Sequence, residues 1–339
     1  MAIPVLDLHC DTADRIAWQS LPAELRAATG KEFYNRYDAA EPEGARELES
    51  NICYLSLDRI GETPWAQCFA CFVPDELSPE QAVAFENHVY GYLLAQIEKN
   101  PGIVLAKSAN EARGVLEEGG ICAVRTIENA RLFAHDLGLV EKFAHEGLLV
   151  ASLSWNAAGP LASGHESHEH MSGAGLAALA EMERCGVAMD VSHLNDECFA
   201  DVAARATRPF CATHSNARAI CAHPRNLTDE QFRAIMDSGG VAGLNYCTYF
   251  LVDGATGVAG SQITFEQIIA HIEHWLDLGG ADFVALGSDL DGAPLPDLLA
   301  GTDKMPAFQG LLVEHFGQDL AEKLCYKNAL AYLERVQAS

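Results

Sequence analysis

The chain has 339 residues, of which 49% are hydrophobic and 21% charged, and its formal net charge at pH 7 is −26. This composition is typical of a folded protein, and the length suffices for one large core or for two ordinary domains. A chain this acidic repels nucleic-acid phosphates and anionic lipid, which argues against binding to nucleic acid or to a membrane surface.

The eleven cysteines and the N-terminal residues bear on the compartment. The cysteines stand mostly singly among apolar residues, which favours a reducing environment. Cys68 and Cys71 have C-x-x-C spacing, but without a second pair a buried strand is favoured over a zinc knuckle or a redox pair. No secretory signal fits before "PVLDLH", and no run of about 18 apolar residues could span a membrane. We therefore expect a soluble, cytoplasmic protein.

Eight short apolar runs recur along the chain, and each is followed by a stretch of helical composition. The runs are "VLDLH" (5–9), "AQCFACFV" (66–73), "GICAVRTIE" (120–128), "LLVASLSW" (148–155), "VAMDVSH" (187–193), "PFCATHS" (209–215), "GGVAGLNY" (239–246) and "FVALGSDLDG" (283–292). The helical segment "SPEQAVAFENHVYGYLLAQIEKN" begins with Ser78 and Gln81 at capping-box spacing and with Pro79 at the first helical position. Further helices are predicted in "SGAGLAALAEMERCG", "NDECFADVAARAT" and "TFEQIIAHIEHWLDLGG".

A strand followed by a helix, repeated eight times, predicts an α/β protein with a parallel sheet. Eight such units match a (β/α)₈ barrel of the TIM type, which normally needs about 250 residues. The chain has no long linker, low-complexity run or internal repeat, so we predict a single domain over residues 1–339. An open doubly wound sheet is the alternative, but its Gly-rich first turn is absent.

Polar residues collect at the ends of the predicted strands, where the chemistry of such barrels is located. In "VLDLHCDT", Asp7, His9 and Asp11 are two residues apart and would share one face of a strand. Burying such groups costs several kcal/mol unless something pairs with them. Together the strand ends supply six side chains that can bind a metal: His9, Asp11, Glu128, His193, His214 and Asp289.

Three imidazoles and three carboxylates suit Zn²⁺ or a similar first-row ion better than Ca²⁺ or Mg²⁺, which prefer oxygen ligands. They are too many for one catalytic zinc, but they suffice for two ions about 3.5–4 Å apart if one carboxylate bridges them. Glu128 can bridge, because each of its two oxygens can bind one ion. Asp7, one pleat deeper, would then support the ligands or the barrel core.

Several longer motifs accompany these residues. They are the H-x-D of "DLHCDT", "TIEN" (126–129), "EMERCGVAMDVSH" (181–193), "ATHSNARAICAHPRNLTDE" (212–230) and "GSDLDG" (287–292). Over nearly its whole length the chain resembles the membrane dipeptidase (renal dipeptidase) family and its bacterial relatives. That family is a branch of the amidohydrolase superfamily, whose metal-dependent members are TIM-like (β/α)₈ barrels and mostly carry H-x-H in place of H-x-D.

The resemblance implies a role for each matching metal ligand. His9 and Asp11 would bind one zinc ion, and His193 and His214 would bind a second. Glu128 and a water or hydroxide would bridge the two ions.

The resemblance also implies the catalytic and substrate-binding groups. Asp289 would be the acid/base; Asp291 shares its face by strand parity, and only the family pattern chooses between them. Arg225 would hold the substrate's terminal carboxylate, which suits a planar guanidinium. Without the resemblance, Arg225 would be interpreted as a surface arginine.

The implied activity is hydrolysis of free dipeptides by the metal-bridging hydroxide, with tolerance of a D-residue at the C-terminal position. The implied partners are the small dipeptide substrate and, from the family, a second copy of the chain in a homodimer.

The fourth strand departs from the family pattern. The family has a histidine at its end that contacts the substrate's carbonyl oxygen, whereas this chain has Trp155, followed by Asn156. Trp155 would belong to the core or to the wall of the pocket, and Asn156 could donate the missing hydrogen bond. Asn129 also replaces the usual glycine after the bridging glutamate.

The segment "SGHESHEHMSG" (163–173) adds His165, His168 and His170 close to that strand end. A polar active-site loop is favoured over an additional metal site. These departures leave the substrate range more open than the class of reaction.

Three functional hypotheses follow. The first is a dizinc dipeptidase, and the second is another amidohydrolase of the same barrel that acts on N-acyl amino acids, lactams or lactones. The third is an inactive barrel used for binding, which the presence of all six candidate metal-site residues disfavours.

Overall fold

The computed structural model describes residues 2–30, 46–255 and 262–338. The strands in this part of the chain are β1 (Val5–Cys10), β2 (Trp65–Phe72), β3 (Ile103–Ala106), β4 (Ile121–Glu128), β5 (Leu148–Ser152), β6 (Ala188–Asp190), β7 (Ala242–Leu244) and β8 (Val284–Leu286). All strand pairs in the sheet are parallel, as the alternation of strands and helices predicts.

Most helices lie in the connections between the strands, and the last three follow β8. They are α1 (Thr12–Ala17), α2 (Ala23–Ala28), α3 (Leu57–Ile60), α4 (Pro79–Lys99), α5 (Ala109–Glu117), α6 (Gly138–Glu146), α7 (Gly173–Cys185), α8 (Asp196–Arg205), α9 (Asp229–Ser238), α10 (Thr248–Leu251), α11 (Phe265–Asp277), α12 (Met305–Phe316), α13 (Gln318–Glu322) and α14 (Asn328–Ala338). The predicted capping box of α4 is present, with Ser78 accepting from the backbone of Gln81 and Gln81 reaching back. Among the described helices, none is long and apolar enough to cross a membrane.

The sheet closes into a ring, which confirms the predicted barrel. The strand order is β6-β5-β4-β2-β1-β8-β7. The gap between β6 and β7 is filled by Cys211 and Ala212, which form parallel bridges to Asp190 and Ala242. The predicted strand "PFCATHS" therefore exists as a short connecting segment, and all eight predicted strands have a place in the ring.

The structure contains one strand, β3, that the sequence pattern did not predict. β3 pairs with the first half of β4, from Ile121 to Val124, while β5 pairs with the second half. Its four residues lie between α4 and α5 and are only partly buried, and a run this short is hard to distinguish from a loop by its sequence pattern.

Buried apolar side chains at matching positions of neighbouring strands form one cluster, and α14 packs against it. Leu6, Ala66 and Cys122 are paired in register and belong to this cluster with Leu330 and Leu333 of α14. Cys68 lies there too, and Cys71 is also buried in β2, which confirms the strand interpretation of C-x-x-C. Because these earlier strand positions are apolar, the polar side chains of the strands lie at their carboxyl ends.

Candidate metal centre

The six predicted metal-site residues all lie at the carboxyl ends of strands and are buried. Glu128 is the last residue of β4, whereas His193 and Asp289 each follow their strand by three residues. In β1 the register with β2 shifts between Asp7 and Cys10, so a bulge interrupts the strand at His9.

The bulge corrects one prediction. Strict alternation would put Asp7 and His9 on the same face, but Asp7 lines a separate small cavity with Trp65 and Tyr246. Asp7 accepts hydrogen bonds from the backbone N–H of His9 at 3.0 Å and from Gln67 Nε2 at 3.1 Å. It therefore holds the backbone of His9, as a supporting residue, without facing the site itself.

Backbone strain is concentrated at these strand ends. Among the described residues other than glycine, positive φ occurs at Asn129 (60°), His193 (70°), Asp289 (59°) and Asp291 (67°). Such conformations cost about 1–3 kcal/mol each and persist where the surroundings enforce them. Asn129 thus adopts the left-handed conformation for which glycine is usual, and asparagine tolerates it better than most residues.

The two oxygens of Glu128 face different partners. Oε1 lies 2.8 Å from Nε2 of His193 and 3.8 Å from Nε2 of His214. Oε2 lies 3.4 Å from Nε2 of His9. A carboxylate whose two oxygens face different histidines has the arrangement that a bridging ligand needs. The histidines are close together, since the rings of His9 and His214 are stacked at 3.7 Å and both offer a ligand atom within 4.8 Å of Glu128.

Hydrogen bonds fix the tautomer of His193. Its Nδ1 lies 2.9 Å from Oδ1 of Asn156, and because an amide oxygen can only accept, Nδ1 carries the proton. Burial is the largest cause that lowers the pKa of His193 to about 4, so the ring is neutral near pH 7. Its Nε2 is then an unprotonated acceptor.

His214 is fixed in the same way by a chain of two bonds. The Thr213 hydroxyl lies 2.5 Å from Oδ2 of Asp190, to which it donates, and 2.7 Å from Nδ1 of His214, from which it accepts. Burial and then the charge of His9 lower the pKa of His214 well below its usual value. Its Nε2 is therefore also an unprotonated acceptor.

Three acceptor atoms consequently meet without a proton between them. Nε2 of His193 lies 3.0 Å from Nε2 of His214, and Oε1 of Glu128 faces both. Such an arrangement is repulsive unless a cation lies among the three atoms. Neutral imidazoles with their other nitrogen hydrogen-bonded are the form in which histidine binds metal, so these residues fit a metal ion.

The second group surrounds His9, whose Nε2 is buried and has no hydrogen-bond partner. Burial opposes the charge of this ring, but Asp11 and Glu128 raise the pKa of His9 well above its usual value. One potential ligand atom from each of His9, Asp11 and Asp289 lies within 4.8 Å of the others. A side chain on Gly292 would lie only 1.8 Å from Oδ2 of Asp11, so the approach of these carboxylates requires glycine there.

The structure distinguishes Asp289 from Asp291, which the sequence alone could not do. Asp289 accepts from Asn245 Nδ2 at 3.1 Å and lines a cavity of about 180 Å³ together with Asp11 and Glu128. Asp291 accepts from the hydroxyl of Thr12 at 2.6 Å and is outside that lining. The parity argument was wrong because β8 ends at Leu286, and positive φ at both aspartates breaks the alternation.

Apolar residues form much of the cavity wall. Trp155, half-buried, lies in it, and its ring contacts Phe72 at 4.9 Å between ring centroids. Asn156 lines the same cavity and has its Oδ1 on His193. Trp155 is thus a pocket residue rather than core, and Asn156 positions a candidate ligand.

Arg225 is buried, with only 3% of its surface exposed, so its interpretation as a surface arginine is wrong. Nη1 donates to Ser215 Oγ at 2.6 Å, whereas Nε and Nη2 are buried without a hydrogen-bond partner. Burial lowers the pKa of this guanidinium, although Glu128 and other acids oppose the shift. A buried cation with two free N–H groups is suited to an anionic ligand.

The histidine-rich loop divides into two parts. His168 and His170 point into solvent, where Nδ1 of His170 lies 2.9 Å from Oδ2 of Asp201. His165 is half-buried, with its ring centroid 6.4 Å from that of His193. In the described part of the chain, neither group of candidate metal ligands includes a loop histidine.

Sequence reasoning missed the groups that support these residues. They are Asp190, Thr213, Ser215, Asn245 and Gly292. A signal existed for some of them, because Thr213 and Ser215 flank His214 in "THS" and Asp190 stands in "MDVSH". Asn245 directly follows β7, at a carboxyl strand end like the candidate ligands, but its partner Asp289 is 44 residues away and could not be assigned from the sequence.

Comparisons with known proteins agree with this geometry. The family model described as membrane dipeptidase (peptidase family M19) matches residues 1–339. A Klebsiella pneumoniae protein described as "Uncharacterized protein in pqqA 5'region" is 35% identical over 241 residues, which cover 68% of this chain and 88% of that protein.

Two solved structures are similar to this protein over almost the whole length of the chain. A metallo peptidase from Rhodobacter sphaeroides, liganded with a phosphinate mimic of the dipeptide L-Ala-D-Ala, has a TM-score of 0.84 and 27% identity, covering 99% of this chain and 100% of that one. Dipeptidase AC, a metallo peptidase of family M19, has a TM-score of 0.85 and 29% identity, covering 100% of both chains.

Proposed function

Because the chain belongs to the membrane dipeptidase family and is a metallo-dipeptidase, we propose that it hydrolyses free dipeptides with two zinc ions, including dipeptides with a C-terminal D-residue. The observation that carries the proposal is the meeting of His193 Nε2, His214 Nε2 and Glu128 Oε1 without a proton among them. A metal ion bound among these atoms would relieve that repulsion while both rings stay neutral.

The proposed ligands fall on the two sides of Glu128. His193 and His214 would hold one ion with Oε1, and His9 and Asp11 would hold the other with Oε2. Three imidazole nitrogens favour zinc or a similar ion over calcium or magnesium.

Two zinc ions held by these residues would lower the pKa of bound water toward neutrality and polarise the scissile carbonyl. Asp289 would take a proton from the attacking water and pass it to the leaving amine. Its position beside Asp11 in the cavity supports this role, and the amide of Asn245 orients its carboxylate.

The remaining side chains of the site would position the substrate. Arg225 offers two free N–H groups to the terminal carboxylate. Asn156 accepts from His193 through Oδ1, so its amide N–H₂ is left to donate to the substrate's carbonyl oxygen. Trp155 forms part of the wall. The L-Ala-D-Ala mimic bound to the Rhodobacter protein supports tolerance of a D-residue here.

The test is hydrolysis of a panel of free dipeptides by zinc-loaded protein. The panel pairs L,L with L,D diastereomers, includes N-acetylated controls, and is run with and without a chelator. We expect cleavage of both diastereomers of the free dipeptides, loss of activity with the chelator, and recovery on adding zinc.

Cleavage of the acetylated compounds alone would instead support the second hypothesis, an amidohydrolase for N-acyl amino acids. Trp155, which follows β5 at the place of the family's histidine, is the observation that keeps this alternative open. Failure to cleave any dipeptide would overturn the proposal.

A further inference from the structure

A second cavity of about 460 Å³ adjoins the cavity of the metal centre. Asn156, Tyr249 and Phe250 line both cavities, so these residues form their common border. The second cavity is the larger, and its lining combines apolar residues with several polar ones, among them His165 and His223. A substrate that reaches beyond the metal centre on this side would enter it.

The backbone around His165 is firmly placed. Gly164 N donates to Ala157 O at 2.9 Å, and Glu166 N donates to Asn156 O at 2.9 Å, so hydrogen bonds hold the residues on both sides of His165. A Cβ on Gly164 would lie 1.7 Å from Trp155 O, which shows how closely the loop packs on the segment that follows β5. His165 is therefore a fixed part of the wall.

The imidazole of His165 lies as close to the metal centre as the tryptophan that replaces the family's histidine. Its ring centroid is 6.4 Å from that of His193, and the corresponding distance for Trp155 is 6.2 Å. The Nδ1 atom of His165 is buried without a hydrogen-bond partner. Burial is the main cause that lowers its pKa to about 3, so the ring is a neutral hydrogen-bonding group.

Arg225 connects this cavity with the proposed substrate carboxylate. Its backbone N–H donates to Nδ1 of His223 at 3.1 Å, and His223 contacts His165 edge-on at 5.7 Å between ring centroids. The Arg225 guanidinium lies 5.8 Å from the ring of Phe250 on the border of the two cavities. Arg225 itself is in the lining of neither cavity, but Phe250 lines both, so a carboxylate bound by Arg225 would lie beside their common border.

We propose that His165 determines specificity for the C-terminal residue of the substrate, by a hydrogen bond to a polar side chain in this second cavity. The inference rests on the proposed dipeptidase function. It names the substrate class more closely, as dipeptides whose C-terminal side chain carries an amide or hydroxyl group.

The test compares two substrates that differ only in polarity at the C-terminal side chain. Dipeptides with one N-terminal residue and with C-terminal asparagine or leucine, which are similar in shape, are assayed with wild type and with His165→Leu. We expect the ratio of kcat/KM for asparagine over leucine to fall about tenfold in the variant, as for the loss of one hydrogen bond. The change should appear in KM.

Two further variants make the result specific. His165→Asn keeps a neutral side chain that can hydrogen-bond at this position and should keep most of the wild-type ratio. His168→Leu, the same substitution three residues on in solvent, should leave the ratio unchanged. Zinc content, measured for each variant, should equal that of wild type.

The outcomes separate this inference from the function on which it rests. If wild type cleaves no dipeptide, the proposed function itself fails. If wild type is active but His165→Leu keeps the wild-type ratio, or if His168→Leu changes it equally, the role of His165 is overturned. A ratio lost in His165→Leu and kept in His165→Asn supports it.

Discussion

The hydroxyl of Thr213 lies between the Nδ1 atom of His214, 2.7 Å away, and the carboxylate of Asp190, 2.5 Å away. Because the carboxylate can only accept, the hydroxyl must donate to it and must accept from the imidazole. The chain of bonds thus sets the tautomer of His214 and directs the lone pair of Nε2 toward Glu128. A neighbour in sequence and a residue from β6 together prepare one candidate metal ligand.

Thr213→Val removes this hydroxyl without changing the shape of the side chain. We expect zinc affinity to fall 10- to 100-fold, as for other residues that orient a metal-bound histidine, with activity restored in excess zinc. Competition with a chromophoric chelator measures the affinity. Thr213→Ser should bind zinc like wild type.

Thr126→Val is the matched control, since Thr126 is a buried threonine whose hydroxyl has no hydrogen-bond partner. It should leave zinc affinity unchanged. Equal affinity in Thr213→Val and Thr126→Val would show that the hydroxyl of Thr213 does not orient His214.

Asp289→Asn tests the acid/base role. The variant keeps the size of the side chain but loses its charge and its ability to take a proton, and the other five candidate ligands stay in place. We therefore expect zinc binding to be largely intact and kcat to fall about 10²- to 10⁴-fold. Zinc content and steady-state kinetics are measured on the same preparation. Near-normal kcat in the zinc-loaded variant would mean that another group moves the proton.

Much of the fold and the core of the site could be predicted because both follow from periodic features. The repeat of apolar run and helix predicts the parallel barrel, and the rule that chemistry lies at the carboxyl ends selects six residues that the structure brings together. Asn156 and Arg225 depended instead on the family resemblance. The residues around Arg225 in the sequence do not show that its side chain is buried.

The errors lie where the backbone leaves the regular geometry that such rules assume. Alternation fails in β1 because of the bulge at His9, and it fails after β8 because Asp289 and Asp291 have positive φ. In the histidine-rich loop, His165 is half-buried whereas His168 and His170 are exposed. This difference depends on how the loop packs against the segment that follows β5. Packing of that kind has no period in the sequence.

Asp291 predicts a pH dependence of stability. Burial raises the pKa of this carboxyl from 3.8 to about 6, although hydrogen bonds from Thr12 and Tyr54 oppose the shift. The folded protein therefore binds the proton more tightly than the unfolded chain, and this residue's contribution to stability decreases as the pH rises from about 4 to about 6.

Asp291→Asn should remove that part of the pH dependence. The free energy of unfolding of the variant minus that of wild type should therefore increase by about 3 kcal/mol from pH 4 to pH 7, since each pKa unit corresponds to about 1.4 kcal/mol. Denaturant unfolding of the metal-free proteins at both pH values gives the difference. A constant difference across this range would rule out the raised pKa of Asp291.

Arg225→Met tests whether the buried guanidinium is kept for the substrate at a cost in stability. The variant loses a charged partner for the terminal carboxylate, so we expect KM for free dipeptides to rise about 100-fold, with kcat changing less. Dipeptide amides, which lack the carboxylate, should be cleaved equally by variant and wild type. The zinc-loaded variant should also melt at a higher temperature, because a buried cation with two unpartnered N–H groups is replaced by an apolar side chain of similar length. An unchanged KM, or an equal effect on acids and amides, would show that Arg225 does not bind the carboxylate.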